Sequence, residues 1–535
     1  MFIMFLRIWK RLNSAVWIGV LLLAGAGCLL AQNSVQTGSI PSVSNSWPTF
    51  NGDTSGRRYS TLTQINRTNV KSLKLAWAFQ THAAKLKSTP LEINGILYFT
   101  VPEYVWAVDA KTGKQVWQFH RPSAGNHIGQ RGVAFYNGRI YFGTPDAHLL
   151  CLDAKNGKKI WDVTIADVKM YYYLSVAPLI VKGQVVIGTS GDSLDIPHFI
   201  EALDWKTGKV LWRTSTLPKP GSPEAKTWPN DKVMSTGGSP AWLTGTYDPD
   251  LNLMYWGTGN PHPVLAGAVR PGDNLYTCSI LALNPDTGAL VWYFQASPHD
   301  THDWDAVETP VLFDADFHGQ PRKLLAQASR NGYFFVLDRK TGEHLLTSQF
   351  VPTNWAKGVR ATGQPFPDPA KEPQVDGALV EGAQNGGTNW MSPSWSPQTG
   401  SFYVNAWTGY TLWYLQPSAE GLSRDHEGGH SANLVAKSEL LALDYRTGKV
   451  IWKREAGPGY LHSGILTTAG HVLFTADADG NLLALDSTDG RVLWHTRPGG
   501  DDNSAAPITY QCDGTQYVLT GVDGVMYAWT LSGSL

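Results

Sequence analysis

Charged side chains are scarce in this sequence. Only 16% of its 535 residues are Asp, Glu, Lys or Arg, and the formal net charge at pH 7 is -1. Proteins that bind nucleic acid concentrate Lys and Arg on one face to neutralise phosphates, and the sequence has no such basic stripe. We therefore expect no nucleic acid among the partners of this protein.

Cysteine is also rare, and its spacing excludes several kinds of site. The four residues are Cys28, Cys151, Cys278 and Cys512. No two are close in sequence, and none belongs to a C-x-x-C or C-x-x-C-H pattern. The spacing argues against a zinc knuckle, a dense disulfide framework and a haem attached to this chain. Single Cys residues in strand-like surroundings are most often buried apolar side chains.

The N-terminus is apolar, but the run is short for a membrane-spanning helix. Three basic residues precede an apolar stretch from about Ala15 to Leu30, which is typical of an export signal. We expect residues 1–31 to be a cleaved signal peptide, residues 32–46 to be flexible, and the protein to be exported to the periplasm. The alternative is an uncleaved anchor, so that any membrane attachment would be through the N-terminus alone.

Tryptophan, in contrast, is abundant and regularly placed. Six of the 22 Trp residues close a repeated motif, in which an Asp or Asn is followed by Gly four residues later and by Trp eight residues later. The motif occurs at residues 107–117, 151–161, 202–212, 282–292, 442–452 and 484–494. Residues 336–346 keep the turn but end in Leu.

This repeat predicts an all-β fold. An apolar strand enters a D-x-x-T-G turn, where Asp caps the turn and Gly supplies a positive φ, and an outer strand then delivers the Trp. Units of this kind, mostly 42–54 residues apart, are typical of propeller blades. We predict an eight-bladed β-propeller with Trp-docking repeats over residues 47–535, with seven blades as the alternative. A weaker unit is predicted around residues 393–407. A strand at 72–80 would complete the last sheet with residues 515–531.

The stretch from Trp242 to Arg330 departs most from the repeat. It contains GTGNP, then RPGDN at 270–274, then HDTHDWD, and it places an aromatic ring, an amide, several acids and a guanidinium on short loops. These groups are Trp242, Asn260, Asp300, Asp303, Asp305 and Arg330. Such a set suits a site that stacks a flat ligand, holds a hard cation and removes a proton. In extended backbone Asp303 and Asp305 would face the same side and share one ion. The alternative is a solvated loop.

With the repeat and this stretch together, the chain resembles the pyrroloquinoline quinone (PQQ)-dependent alcohol dehydrogenases, the quinoprotein propellers of the methanol and ethanol dehydrogenase type. The resemblance covers nearly the whole mature chain. It is carried by WPTFNGDTSGRRYSTLTQINRTNVKSLKLAWAF (47–79), by RGVAFYNGRIYFGTPDAHLLCLDAKNGKKIW (131–161) and by APITYQCDGTQYVLTGVDGVMYAW (506–529). The order GTGNP, RPGDN, HDTHDWD, RNG is its most specific feature.

The resemblance implies a cofactor site, a metal site and a catalytic base. It places the quinone on Trp242, the general base at Asp303, and Arg330 beside the reactive carbonyl. The other residues implied to bind PQQ are Arg131, Ser175, Ser190 and Asn389. The residues implied to hold the metal ion are Asn260, Asp303, Asp305 and Asp192. We favour Ca²⁺, since hard cations prefer oxygen ligands, and keep a lanthanide as the alternative.

Several positions depart from the family pattern. Gly125 and Asn126 stand where many members have adjacent cysteines, and Ser193 stands where the family has a metal-binding Glu. Lys87 replaces an acid or amide near the cofactor, and His462 replaces a Trp of the far wall.

These observations predict a PQQ-dependent dehydrogenase that oxidises an alcohol by base-assisted hydride transfer to a metal-bound quinone. Electrons would pass to an external acceptor, such as a cytochrome c or a quinone, since the sequence has no haem motif. Two alternatives stay open. One is a non-catalytic envelope propeller that binds protein partners, and the other is a dehydrogenase of the same fold that acts on sugars or polyols.

Overall fold

The computed structural model describes residues 45–81, 85–123, 125, 129–191, 194–418, 421–422, 427–500 and 504–532. The predicted signal peptide, the predicted metal ligand Asp192, and the positions Asn126 and Ser193 that depart from the family pattern lie outside these residues. Within them, β-strands predominate and helices are short. The helices are α1 (Asp231–Met234) and the 3-10 turns Val70–Ser72, Val168–Met170, Glu224–Thr227, Gly267–Val269 and Pro369–Lys371. None of these described helices has the length and apolar character needed to cross a membrane.

The first four large sheets follow one another along the chain, each with four antiparallel strands. The first sheet contains Leu91–Ile93, Ile96–Val101, Tyr104–Asp109 and Gln115–His120. The second contains Ala134–Tyr136, Arg139–Gly143, His148–Asp153 and Lys159–Thr164. The third contains Leu179–Val181, Gln184–Gly188, Phe199–Asp204 and Val210–Ser215. The fourth contains Thr246–Asp248, Leu253–Gly257, Ser279–Leu283 and Leu290–Gln295.

The next three large sheets continue this order, and two of them recruit an extra strand. The fifth contains Val311–Phe317, Gln320–Ala328, Tyr333–Asp338 and His344–Gln349. The sixth contains Ser394–Ser396, Ser401–Leu415, Gly429–Asp444 and Val450–Pro458, with Ala378–Glu381 added beside the second of these. The seventh contains Leu466–Thr468, Val472–Ala476, Leu482–Asp486 and Val492–Thr496, with Tyr59–Ser60 added in parallel. Two small hairpins pair Ala356–Val359 with Pro365–Pro367 and Pro417–Ser418 with Gly421–Leu422.

The eighth large sheet joins the two ends of the described chain. Its strands are Ile508–Cys512, Thr515–Val522, Val525–Thr530 and, from the N-terminal side, Lys74–Gln80. Lys74 pairs with Thr530 and Gln80 with Val525 in antiparallel register. The predicted pairing of an N-terminal strand with the C-terminal segment is therefore confirmed. A succession of such sheets, closed by its own ends, is typical of a propeller because each sheet covers the apolar faces of its neighbours.

The prediction of a separate unit at residues 393–407 is wrong. Ser394–Ser396 and Ser401–Leu415 are the first strands of the sixth sheet, which ends in the strand carrying Trp452. The wide spacing before that Trp has a different cause. Strands of 15 and 16 residues, Ser401–Leu415 and Gly429–Asp444, extend this sheet, and a long connection precedes it.

The repeated motif holds neighbouring sheets together through its Gly and its Trp. Asp109 accepts hydrogen bonds from the backbone N–H and hydroxyl of Thr112, at 2.8 and 2.7 Å, as the predicted turn requires. Gly113 then has a φ of 70°, and a Cβ atom on it would lie 2.6 Å from the ring of Trp77. In the next unit, a Cβ on Gly157 would lie 2.7 Å from Trp117. These glycines are needed both for their backbone conformation and to admit the indole ring.

The indole N–H groups complete the contact. Trp117 donates from Nε1 to the backbone oxygen of Ala154 at 2.9 Å, and Trp212 donates to Pro285 O at 2.8 Å. Trp117 and Trp212 therefore pack on the turn of the following unit and satisfy their indole N–H groups there, as buried indoles require.

Glu92 gives the fold a dependence on pH. Its side chain is 2% exposed, and one of its oxygens accepts the Gly95 N–H at 2.7 Å. Burial raises its pKa to about 7, opposed by backbone hydrogen bonds from Gly95 and Trp47. The folded state thus holds a proton that the unfolded chain releases near pH 4.5. Glu92 therefore makes the protein less stable as the pH rises from about 4.5 to 7.

We expect Glu92→Gln to remove this effect. The variant should match the parent near pH 4.5 and exceed its free energy of unfolding by about 1–3 kcal/mol at pH 8. Unfolding midpoints at the two pH values measure the difference, with Glu455→Gln at an exposed site as the control. A difference that does not change with pH would contradict this account of Glu92.

Candidate active site

The candidate site residues lie in loops at the ends of strands in successive sheets. Ser190, Asn260 and Arg330 follow the second strands of the third, fourth and fifth sheets. Ser175 and Trp242 precede the first strands of the third and fourth sheets. In an antiparallel pair, the start of one strand lies beside the end of the next. The repeat therefore brings residues that are far apart in sequence to the same end of the sheets.

Asp305 is the centre of the hydrogen-bond network. It is 2% exposed. Its Oδ1 atom accepts the backbone N–H of Asn260 at 2.6 Å, and its Oδ2 atom accepts the indole N–H of Trp242 at 2.7 Å. Close packing supports this arrangement, since a Cβ on Gly259 would lie 2.8 Å from Asp305 Oδ1. The network fixes the Trp242 ring and the Asn260 turn relative to one carboxylate.

Arg330 links the two predicted aspartates. One guanidinium nitrogen donates to Asp305 Oδ2 at 3.2 Å and the other donates to Asp303 Oδ2 at 3.0 Å. The Arg330 side chain is 6% exposed, whereas the Asp303 side chain is 47% exposed. Asp303 therefore reaches the solvent side of the cluster while staying attached to its buried part.

The predicted geometry of the acidic pair needs a correction. Asp303 and Asp305 do lie together, but not because an extended strand puts them on one side. Asp303 has a φ of 60°, and residues 300–306 form no strand. The two carboxylates meet instead because the loop folds around the guanidinium of Arg330.

The structure brings Arg131, Ser175 and Ser190 close to Trp242. The Ser175 hydroxyl lies 3.0 Å from that of Ser190 and donates to the backbone oxygen of Trp242 at 3.1 Å. The Arg131 guanidinium lies 4.6 Å from the centre of the Trp242 ring. Arg131 is 1% exposed, and its Nε atom has no hydrogen-bond partner among the described residues.

Trp390 is a residue that the sequence analysis missed. Its ring lies 5.4 Å from the Arg131 guanidinium and 5.7 Å from Lys87 Nζ, and it stacks on His462 with ring centres 6.3 Å apart. Asn389 is its neighbour, accepting the Trp390 N–H at 2.8 Å and donating to Asn385 O at 2.9 Å. Trp390 lies outside the repeated Trp position, and this was the signal available in the sequence.

Burial and the neighbouring charges shift the pKa values of the groups in this cluster. Burial alone would lower the pKa of Arg330, but the carboxylates of Asp303, Asp305 and Glu308 outweigh it and raise that pKa. Burial raises the pKa of Asp305, against the attraction of Arg330 and with the repulsion of Asp303. Glu308, also missed in the sequence, is 2% exposed, and burial raises its pKa well above the usual range. A bound cation would relieve this concentration of buried acids.

Comparison with known proteins shows which family this chain matches. The family model described as "Glucose/ethanol/alcohol dehydrogenase, beta-propeller domain" matches residues 47–382, and one described as "Outer membrane protein assembly factor BamB" matches residues 386–533. The chain is 35% identical to the quinoprotein alcohol dehydrogenase PedH of Pseudomonas putida, over 89% of this chain and 86% of that protein. It is 36% identical to the quinohemoprotein alcohol dehydrogenase of Comamonas testosteroni, over 89% and 72%.

Two solved structures of dehydrogenases superpose on this chain. The quinohemoprotein alcohol dehydrogenase ADHIIG from Pseudomonas putida HK5 superposes with a TM-score of 0.85 at 32% identity, over 92% of this chain and 81% of that one. A europium-containing methanol dehydrogenase superposes with a TM-score of 0.82 at 28% identity, over 91% and 98%. Fold and site thus define an all-β propeller oxidoreductase. The chain belongs to the PQQ-dependent alcohol dehydrogenase family.

The residues present fit the two groups that this family implies. A buried Arg131 with an unpartnered Nε, beside the face of an indole, suits a planar ligand that carries carboxylates. Asn260, Asp303 and Asp305 offer only oxygen ligands, which suit a hard cation. Among the described residues no three His, Cys, Asp or Glu side chains form a metal cluster.

Proposed function

We propose that this protein oxidises an alcohol by transfer of a proton to Asp303 and of a hydride to PQQ bound beside Trp242. The observation that supports this most strongly is the continuous set of contacts from Trp242 through Asp305 and Arg330 to Asp303. It joins an aromatic floor, a guanidinium and a solvent-accessible carboxylate within one network. A non-catalytic scaffold has no need of such a buried, charged arrangement, because burying charges is costly unless they are paired.

The cofactor would be held from several sides. Trp242 would stack on the ring system, while Arg131 would bind carboxylate oxygens through its planar fork. Ser175, Ser190 and Asn389 would supply the remaining hydrogen bonds. Bound PQQ supplies the carbonyl that accepts the hydride, and Arg330 would donate hydrogen bonds to oxygens in this region.

A hard cation would lie against Asn260, Asp303 and Asp305. Asp305 Oδ2 already accepts two hydrogen bonds and Oδ1 accepts one, so a carboxylate with about four acceptor positions keeps one for a metal. The cation would act as a Lewis acid. Asp192 is proposed as a further ligand and lies outside the described residues. Ca²⁺ and a lanthanide both suit an all-oxygen set, and the europium-containing relative favours testing both.

Asp303 is the proposed general base. Arg330 fixes one of its oxygens, and its exposed fraction lets an alcohol hydroxyl approach from solvent. Base catalysis requires this proximity, within hydrogen-bond reach of the proton to be removed.

We also propose the number of blades, the cellular location and the electron acceptor. The eight large sheets would be eight blades, with the Trp contacts on following turns as their docking repeats. The N-terminal sequence would direct export to the periplasm, leaving any membrane attachment to an uncleaved N-terminus. Since the sequence has no C-x-x-C-H motif, electrons would pass to an external acceptor. One relative, from Thauera butanivorans, is named 1-butanol dehydrogenase (cytochrome c), and others are named alcohol dehydrogenase (quinone), dehydrogenase subunit, so the acceptor would be a cytochrome c or a quinone.

Reconstitution tests the proposed function. Purified protein is mixed with PQQ and either Ca²⁺ or Eu³⁺, and dye reduction is followed with alcohols, polyols and sugars. We expect turnover only with PQQ and a cation both present, and with primary alcohols as the best substrates. Binding of PQQ without turnover on any of these substrates would contradict the proposal, and absence of PQQ binding would favour the scaffold alternative.

Trp242 offers a separate test of cofactor binding. We expect Trp242→Leu to weaken PQQ binding by about 10-fold to 100-fold, because stacking and apolar contact with the ring are lost. Equilibrium dialysis measures this without turnover. Trp205→Leu is the matched control, since Trp205 packs against Tyr136 and Arg139 instead. Equal affinities in the two variants would argue against Trp242 as the floor of the site.

A further inference from the structure

The RPGDN segment at 270–274 has no part in the chemistry proposed above, yet its arginine is completely buried. Arg270 is 0% exposed. Its guanidinium donates to the backbone oxygens of Pro263 at 2.8 Å and Val264 at 2.6 Å, and to Asn274 Oδ1 at 2.8 Å. A buried guanidinium is tolerated only when its donors are satisfied, and these contacts do so within the connection between two strands of the fourth sheet.

A further contact of Arg270 leaves this connection and reaches the acidic loop. One guanidinium nitrogen donates to the backbone oxygen of Asp300 at 2.5 Å. Asp300 is 3% exposed, and its carboxylate accepts the backbone N–H groups of His302 at 3.3 Å and Trp304 at 3.2 Å. The two amides immediately flank Asp303. Arg270 thus holds Asp300, and Asp300 holds the backbone on both sides of the proposed base.

The rest of the segment adds two contacts to the start of the same loop. The backbone oxygen of Asp273 accepts the His299 N–H at 3.1 Å, and the backbone oxygen of Gly272 lies 2.8 Å from His299 Nδ1. His302 is held from another side, with its Nε2 atom 3.0 Å from Lys371 O. The loop that carries Asp303 is therefore anchored before, at and after the residue.

The anchoring contacts keep Asp303 in an unfavourable backbone conformation. Asp303 has a φ of 60°, a left-handed conformation that is unfavourable for a residue with a Cβ atom. Without external contacts the loop would relax toward other conformations and the carboxylate would leave Arg330. We infer that Arg270, acting through Asp300, is a positioning residue that fixes Asp303 for proton removal. This inference rests on the proposed function of Asp303.

Two variants test the inference. Arg270→Lys keeps the charge but removes the fork, and Asp300→Asn keeps the shape but leaves a single oxygen for the two amides. We expect each to lower kcat by about 10-fold to 100-fold, as displacements near 1 Å do in active sites, while KM for the alcohol and Kd for PQQ change by less than about 3-fold. Arg360→Gln is the control, because Arg360 pairs with Asp273 at an exposed position and should leave kcat unchanged.

A double-variant comparison separates positioning from general damage. If Arg270 acts only through Asp303, adding Arg270→Lys to Asp303→Asn should lower kcat no further than Asp303→Asn alone. Losses that multiply would overturn the inference, as would a parental kcat in both single variants. If Arg270→Lys does not fold, Asp300→Asn takes its place in the comparison.

Amide hydrogen exchange provides a readout that needs no turnover. The N–H groups of His302 and Trp304 should exchange faster in Asp300→Asn, while amides in the fourth sheet keep their protection. Unchanged exchange at both amides would overturn the inference. Failure of the proposed function would look different: the parent would be inactive toward every alcohol, whereas the exchange result would still hold.

Discussion

Asp303→Asn should lower kcat by about 10²-fold to 10⁴-fold, the usual contribution of a positioned general base. The amide keeps the volume of the carboxylate and can still accept the hydrogen bond from Arg330, but it cannot take a proton. The loss should appear in kcat and in kcat/KM alike, because proton removal belongs to the transition state and not to substrate binding. Steady-state dye reduction with a primary alcohol measures it.

The affinity for PQQ provides the internal control for that experiment. Trp242 and Arg131 should still bind the cofactor in Asp303→Asn, so its Kd should change by less than about 10-fold, which is 1.4 kcal/mol. Asp513→Asn, at a side chain that is 76% exposed, should have parental kinetics. Turnover by Asp303→Asn at the parental rate would assign the base to another group.

Arg330→Met should have the second large effect, on both activity and stability. Without the guanidinium, Asp305 and Glu308 remain buried at 2% exposure and lose the positive charge that attracts both carboxylates. Removing one partner from a buried ion pair costs about 3–5 kcal/mol, and losing a donor beside the reacting carbonyl costs about 10²-fold to 10³-fold in kcat. Unfolding midpoints and dye reduction measure the two effects separately.

A surface arginine is the appropriate comparison for Arg330. Arg322 pairs with Asp338 and Glu343 and is 27% exposed, so Arg322→Met should cost at most about 1 kcal/mol and leave kcat unchanged. Arg330→Lys should fall between Arg330→Met and the parent, because an ammonium keeps the charge but cannot reach Asp303 and Asp305 together. Equal stabilities of Arg330→Met and Arg322→Met would show that the buried acids are neutralised in another way.

The repeat could be predicted well because its physical cause is local. The turn needs Asp109, Thr112 and Gly113 at fixed spacing, and the Gly also admits the Trp77 ring, so the same spacing recurs in each unit. The sixth sheet was harder to predict. Its long strands Ser401–Leu415 and Gly429–Asp444 widen the interval between motifs, and spacing alone cannot distinguish long strands from an extra unit.

The contacts within the candidate site were harder to predict from the sequence, for a different reason. The polar types in the Trp242–Arg330 stretch indicated the chemistry, but the contacts depend on backbone conformations that sequence patterns do not fix. The left-handed φ of Asp303 changes how it meets Asp305. Trp390 approaches Arg131 across sheets, and Glu308 is buried by tertiary packing. Local periodicity does not place either residue at the site, although Trp390 stands outside the repeated Trp position.

Two departures from the family pattern, Lys87 and His462, lie against the same aromatic ring. Lys87 lies against the same Trp390 ring as Arg131, so the replacement of an acid or amide by Lys adds positive charge to the side of the site where cofactor carboxylates would bind. His462 stacks on the Trp390 ring and packs edge-to-face against Trp407. The two replacements therefore meet at one ring.

The most direct measurement is a crystal structure of the protein with PQQ and Eu³⁺, in which anomalous scattering locates the cation. We expect one strong peak about 2.3–2.6 Å from oxygens of Asn260, Asp303 and Asp305, with the quinone ring stacked on Trp242. A cation bound elsewhere, or a quinone ring away from Trp242, would contradict the assignment of this cluster as the active site.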